Sequence, residues 1–294
     1  MTAAPAMPAA RPLRGVALVV LAVLAFALAD VLTKLQAERH PVTVVIAVRY
    51  LVNLALLVVL LAPRQGRALW RTDRTLLVML RALCLAFASL TMGIALTLMP
   101  VAETVAIIYL SPFLVMLLAI PLLGERVPLA GWLGAAAGFA GVLLIVRPGG
   151  GLAPWGVVMA LVNTLFATAY HLMTRQLSRT ETVQAMLFHV ALVGTVVFCV
   201  LALPDLPGLV LPPGDLAMMA ALGALATTGH FLFTSAYREA PASLLAPVNY
   251  LHLVWAAGLG WLVFGHVPDA VTLVGIVLVA GAGVAVAIRT ARAS

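Results

Sequence analysis

Charge is what this chain has least of. Only 9% of its 294 residues are Asp, Glu, Lys or Arg, while 64% are hydrophobic and the mean hydropathy is +1.15. A soluble domain carries about 25% charged residues, so a water-soluble fold is excluded. Lysine is nearly missing: Lys34 stands alone among 17 Lys and Arg residues. Without a second lysine there is no G-x-x-x-x-G-K-[ST] loop, and hence no phosphate cradle for ATP hydrolysis. The two cysteines, Cys84 and Cys199, both lie in apolar runs. They support no disulfide framework and read as small packing residues. No H-E-x-x-H, G-x-S-x-G or Cys/His metal spacing occurs, and no carboxylate stands at mid-span beside a nucleophile. No catalytic residue, metal ligand or cofactor is therefore expected, and the chain does not read as an enzyme.

Long apolar runs are present throughout. Crossing ~30 Å of hydrocarbon takes about 20 residues, and ten runs approach or exceed that length: 15–35, 42–62, 76–98, 101–123, 129–146, 154–172, 182–203, 216–237, 242–264 and 270–288. The links between them leave no room for a soluble domain. The expectation is an all-α polytopic membrane protein with ten transmembrane helices. The first run is too long for a signal-peptide core and meets Asp30 and Lys34 instead of a small-residue cleavage site, so it reads as an uncleaved helix.

A net charge of +7 and a pI near 10.2 would suggest nucleic acid in a soluble protein. Here the basic residues have a different task. With the N-terminus inside, twelve arginines fall in the tails and links on that side, while Lys34, Arg39 and Arg147 alone fall outside. Such an excess sets orientation in a membrane, so both termini are expected in the cytoplasm, as tails 1–14 and 290–294. The expected partners are the bilayer and a small molecule, not nucleic acid.

Sliding the sequence over itself by 141 residues aligns Gly15-Val16 with Gly156-Val157, Thr33-Lys34 with Thr174-Arg175, and Pro100, Tyr109, Gly124 and Gly134 with Pro241, Tyr250, Gly265 and Gly275. The chain therefore reads as two five-helix repeats, 15–148 and 154–289. Five is odd, so the second repeat enters the membrane inverted. Inverted repeats are a building plan of secondary transporters, which bind substrate near midplane at the repeat interface.

Polar residues at that depth are few. In the ninth run, Asn249, Tyr250 and His252 sit well inside. Their counterparts in the fourth run are Tyr109 and Ser111. Asn163 lies in mid-span of the sixth run, with Tyr170 and His171 towards its end. His230 lies in the eighth run and His189 in the seventh. Interhelical hydrogen bonding is the ordinary use of such groups and suffices for His189. The symmetry of the others makes Tyr109, Ser111, Asn163, His230, Asn249, Tyr250 and His252 the candidate substrate contacts. Asp30 and Lys34, one helical turn apart, and Glu103 are candidates for coupling or gating, although Lys34 is placed to snorkel. Pro112 and Pro247 each remove a backbone hydrogen bond in mid-span, which membranes tolerate where backbone lines a cavity or neighbours satisfy it.

The stretch 100–146 carries P-V-A, a mid-helix S-P, G-E-R-V and a G-x6-G-V tail in that order. It resembles the second part of an EamA repeat of the drug/metabolite transporter superfamily. The second copy departs from this pattern, with Leu253 for the proline and His266 for the glutamate. The resemblance implies ten helices, termini inside, and no need of an ATPase subunit. Overall similarity is greatest to the YddG-type exporters of aromatic and other neutral amino acids. This implies a monomeric alternating-access exporter of a zwitterionic substrate in a bacterial inner membrane. Export of hydrophobic drugs or other small metabolites is the alternative. A membrane-embedded enzyme using His230 or His252 as a base, or a channel, are readings from other classes.

Overall fold

The computed structural model describes residues 12–123, 129–147, 151–177, 180–239, 245 and 248–293. The start of the N-terminal tail, the G-E-R-V loop and Pro247 lie outside the described residues. The described helices are α1 (Pro12–Ala37), α2 (Val42–Gln65), α3 (Thr75–Leu98), α4 (Val101–Ile108), α5 (Ser111–Leu123), α6 (Leu129–Ile145), α7 (Pro154–Leu177), α8 (Val183–Ala202), α9 (Pro213–Glu239), α10 (Leu251–Phe264) and α11 (Ala270–Ala293). Among the described residues there is no strand. Seven helical segments are long and apolar enough to cross a membrane, and three shorter apolar helices accompany them. This is a multi-pass membrane protein.

The helix starts follow from local chemistry. Proline lacks an N–H and holds φ near the helical value, which suits a first turn whose amides have no partner. Pro41 and Pro100 immediately precede α2 and α4, and Pro154 and Pro213 open α7 and α9. Thr182 caps α8 by accepting from the amide of Ala185 at 3.2 Å. Gly265 ends α10 at φ 66°, the left-handed conformation that a glycine adopts without strain. Asp269 accepts from the amides of Val271 and Thr272, both at 2.9 Å, at the start of α11. It also takes two bonds of 2.8 Å from Arg147 at the end of α6. The Thr272 amide, and after it Arg147, hold the Asp269 carboxyl below its usual value.

Most helices carry apolar residues all round, because the face turned from the core meets lipid rather than water. Val59, Leu143, Val200 and Leu262 are exposed in this way. The largest core gathers Leu96, Met99, Ile107, Leu110 and Phe113 with Leu253, Ala256 and Val279 from the second half of the chain. A second core centres on Tyr50 stacked on Phe198 at 5.4 Å, between α2 and α8.

α1 packs chiefly against α9, α3 against α7 and α6 against α11. The 141-residue offset equates α1 with α7, α3 with α9 and α6 with α11. It therefore exchanges the first two contacts and maps the third onto itself. Ion pairs fix the sense of α1 against α9: Arg14 meets Glu239 at 3.2 Å at one end, and His40 meets Asp215 at 2.8 Å at the other. The two helices are antiparallel.

The fourth apolar run is not one helix. It breaks at Tyr109 and Leu110 into α4 and α5. Pro112 has no amide for the carbonyl of Ile108, and Pro112 falls in the first turn of α5, where a proline is at ease. The ninth run breaks at Asn249 and Tyr250, the matching place, immediately before α10.

Candidate functional site

Both breaks place a tyrosine at their centre, and the two tyrosines meet. The rings of Tyr109 and Tyr250 lie 5.1 Å apart, and the Tyr109 hydroxyl donates to the backbone carbonyl of Asn249 at 2.8 Å. A helix break leaves carbonyls without intrahelical partners, and in hydrocarbon each must find another. The Asn249 carbonyl accepts from the His252 amide at 3.0 Å as well, so one repeat adds a second donor to a carbonyl at the break of the other. Replacing Tyr109 with phenylalanine removes one of the two donors to that carbonyl, at a cost of about 0.5–1.5 kcal/mol, and the variant is expected to melt earlier in detergent. Asn249→Ala is expected to melt with the wild type. The buried Oδ1 of Asn249 has no hydrogen-bond partner among the described residues, so its removal breaks none.

His252, the second residue of α10, turns towards α1. Its Nε2 lies 3.1 Å from Asp30 Oδ2, and the two side chains are only 13% and 18% exposed. Neither atom has an aligned hydrogen bond among the described residues, and the approach is an ion pair when the ring is protonated. Phe26, one turn before Asp30, packs on the ring of His230, at 5.0 Å, and on that of His252, at 6.4 Å. Trp255 Nε1, one turn beyond His252, is also buried without a partner among the described residues. Buried polar atoms without partners are rare and call for an explanation. Asp30 on α1, Asn249 in the turn before α10, and His252 and Trp255 on α10 offer two acceptors, a titratable ring and a donor, with Trp255 packed further along α1 beside Val19 and Val23.

The seam widens at one end. Lys34 and Glu38 continue the Asp30 face of α1 at four-residue steps, and Ala256, Gly260 and Phe264 continue that of His252 on α10. Between them opens a cavity of about 370 Å³ lined by Lys34, Glu38, Met99, Ala257, Phe264 and His266, among others. Lys34 is not a snorkelling lysine, as its place near a helix end suggests from sequence. Its ammonium donates to the carbonyls of Leu96 at 2.6 Å and Met99 at 3.0 Å, lies 3.6 Å from Glu38, and faces the Phe264 ring at 5.5 Å. These are the bare carbonyls at the end of α3, where a cation is favoured. Beside the cavity, Glu103 Oε1 lies 2.8 Å from His266 Nε2, while its buried Oε2 has no partner among the described residues.

The candidates from sequence therefore separate into three places. Tyr109, Asn249, Tyr250, His252 and Asp30 come together where the two breaks meet α1, with His230 packed on Phe26. Lys34 and Glu103 stand at the cavity. Ser111 and Asn163 join neither group: Ser111 Oγ lies 3.1 Å from Thr168 Oγ1 of α7, and Asn163 donates to the carbonyl of Ala88 at 2.5 Å. Both act as ties between helices, because each finds a partner on the helix it packs against. Tyr170 is likewise engaged, accepting from Arg81 at 2.7 Å. His189 bonds the carbonyl of Ala185 within its own helix. Phe26, Glu38 and His266 are not among the candidates that the sequence offers, while Trp255 reads there as a packing or interfacial residue or a pocket wall. His266 leaves a trace, as the departure from the G-E of the first repeat.

Residues 13–147 and 154–288 each match the EamA-like transporter family. The chain belongs to that family. Among EamA relatives, the pseudopaline exporter CntI of Pseudomonas aeruginosa is 30% identical over 276 residues, covering 92% of this chain and 95% of that one. A riboflavin transporter of Rhizobium johnstonii is 30% identical over 184 residues, 62% of this chain and 60% of its own. An S-adenosylmethionine uptake transporter of Rickettsia bellii is 27% identical over 217 residues, 73% of each chain. A crystal structure of a protein sharing 22% identity superimposes with a TM-score of 0.68, covering 96% of this chain and 98% of that one. The chain therefore has the fold of a solved structure and the family of membrane transporters of small molecules. The names of these relatives do not single out amino-acid export.

Proposed function

We propose that this chain is a monomeric inner-membrane secondary exporter of neutral and aromatic amino acids. It works by alternating access between two inverted five-helix halves, with both termini in the cytoplasm and without an ATPase subunit. The observation that carries this reading is the meeting of the two helix breaks, where Tyr109 of one half donates to the carbonyl of Asn249 in the other. Discontinuous helices that meet at a repeat interface are where secondary transporters hold substrate. Asp30 Oδ2 and Asn249 Oδ1, which have no aligned hydrogen bond among the described residues, suit an ammonium group, and Trp255 Nε1–H suits a carboxylate. Phe26 and Tyr250 supply apolar walls. The cavity at the Lys34 end, about 370 Å³, falls in the ~300–1,000 Å³ range of small-molecule sites. Export is favoured over uptake by the relative that spans nearly the whole chain, which is named an exporter.

Purified protein in liposomes, preloaded with unlabelled amino acid, should take up labelled phenylalanine, tryptophan or leucine by counterflow without nucleotide. Asn249→Ala should weaken the apparent affinity by roughly 2- to 12-fold, as for a lost hydrogen bond of about 0.5–1.5 kcal/mol. A second reading, transport of a larger metabolite, is favoured by the names of the riboflavin and S-adenosylmethionine relatives. The same vesicles decide between them: saturable counterflow of riboflavin or S-adenosylmethionine, with none of any amino acid, replaces the first reading with the second.

Topology has its own test. In a background lacking Cys84 and Cys199, single cysteines at Gly66 and Thr290 should be labelled only from the cytoplasmic face. One at Gly208 should be labelled only from the outside. Labelling of Gly66 and Gly208 from the same face would overturn the inverted arrangement.

A further inference from the structure

We propose that the Asp30–His252 pair is the proton-coupling site of this transporter, and that the ammonium group of the substrate and the imidazolium of His252 compete for the Asp30 carboxylate. The proposal rests on the amino-acid reading above and adds the coupling ion and its residues.

The argument begins with what neutralises Asp30. Its carboxylate is only 18% exposed in an apolar seam. A buried charge left unpaired costs several kcal/mol, so in its ionised form Asp30 needs a cation. Lys34, one turn away, is not that cation, because its ammonium is committed to Leu96 O, Met99 O and Glu38. The other elements packed around the pair supply no substitute among the described residues. α3 brings Arg81, tied to Thr174, Tyr170 and the carbonyl of Met186. α2 brings Arg49, which lies 4.7 Å from the Tyr50 ring. α4 brings Tyr109, whose ring is 5.9 Å from that of His252, and Glu103, paired with His266. α9 brings His230, whose ring packs on Phe26 at 5.0 Å. The turn into α10 brings Tyr250, packed on Tyr109. Only His252 remains, 3.1 Å from Asp30 Oδ2.

Two cations on one carboxylate repel each other in a low-dielectric seam, and none leaves the carboxylate bare. One cation at a time is the stable occupancy. The contact is also replaceable: Asp30 Oδ2 and His252 Nε2 are close but not aligned as a hydrogen bond, so a better-directed N–H displaces the ring. When the ammonium of a zwitterion takes Asp30, the proton on His252 Nε2 loses its counter-charge and passes to water in the seam. The pair is electrically neutral before, as carboxylate and imidazolium. Afterwards the carboxylate is matched by the ammonium, the imidazole is neutral, and the substrate carboxylate is left to the Trp255 N–H. When the substrate departs on the other side, His252 takes a proton from that side. One zwitterion moves out and one proton moves in.

The test uses wild-type protein in liposomes, with the membrane potential clamped by potassium and valinomycin, and labelled L-phenylalanine as the probe. With the lumen one pH unit more acid than the bath, the wild type should accumulate phenylalanine about tenfold, the equilibrium ratio for one proton per substrate. His252→Gln should exchange phenylalanine at a reduced rate, with a final distribution that no longer follows the pH gradient. Wild-type counterflow with no pH-driven accumulation overturns the coupling proposal and leaves the exporter reading standing. Accumulation by His252→Gln equal to that of the wild type also overturns it. Absence of any amino-acid counterflow by the wild type removes the reading beneath it and the proposal together. Should His252→Gln fail to fold, solubilised wild type in weak buffer decides: proton release on adding phenylalanine supports the proposal, and no release overturns it.

Discussion

Gly283→Ala should abolish transport and lower the melting temperature together. A Cβ at Gly283 of α11 would overlap Cζ of Tyr250 and its hydroxyl oxygen. The ring is 8% exposed and rests against Tyr109 at 5.1 Å, so it cannot retreat without displacing the other tyrosine. Either α11 shifts outward or Tyr250 leaves its rotamer. Overpacking of a filled interior costs about 1–3 kcal/mol. The functional loss should exceed what that figure alone implies, because the displaced ring belongs to the junction of the two helix breaks. Thermal melting in detergent and counterflow on one preparation make the check. Gly283→Ala that melts and exchanges like the wild type would show that the ring is free to move. Gly283→Ala with Tyr250→Leu should recover much of the melting temperature while exchange stays low, which separates packing from the site.

The second large effect should appear where α6 crosses α11. A Cβ on Gly141 would lie 2.7 Å from the carbonyl oxygen of Gly275, and a Cβ on Gly275 would lie 2.6 Å from the carbonyl oxygen of Gly141. Here backbone meets backbone, and neither side chain can give. Small residues allow such close approach between membrane helices. Gly141→Ala or Gly275→Ala alone should force the helices apart and cost about 1–3 kcal/mol. The double variant should cost much less than the sum, because the first methyl already opens the space that the second needs. Coupling of this kind, about 0.5–3 kcal/mol for residues in contact, is what a double-mutant cycle measures. Additive losses would show that each glycine serves a separate contact.

The sequence reveals the helices more readily than the site. Apolar runs place most helix ends within a few residues, since hydrocarbon thickness imposes a length that composition must obey. The internal offset by itself pairs Tyr109 with Tyr250, and these two residues do meet. The break in the fourth run is less visible, because Pro112 announces a weakened hydrogen bond and not the place where the helix turns. The partnership of Asp30 with His252 is invisible, since it joins residues from opposite ends of the chain and depends on how α1 and α10 are rotated. Asn163 shows the limit from the other side. A mid-span asparagine reads equally well as a substrate contact or as a tie, and only the nearby carbonyl of Ala88 separates the two. The cavity beside Lys34 arises where four helix ends fail to fill space, and no residue pattern encodes that.

Lys34 has one more consequence, and it is mechanical. By holding the last carbonyls of α3, its side chain rivets α1 to the corner where α3 turns into α4. α10, on the other side of the cavity, is fastened differently. Its glycines 258 and 260 have open space within 4 Å of where a Cβ would stand, and Trp261 and Leu262 point away from the core. For a carrier that works as proposed above, α1 is then the anchored side of the seam and α10 the side with room to move, and a single ammonium group makes the difference.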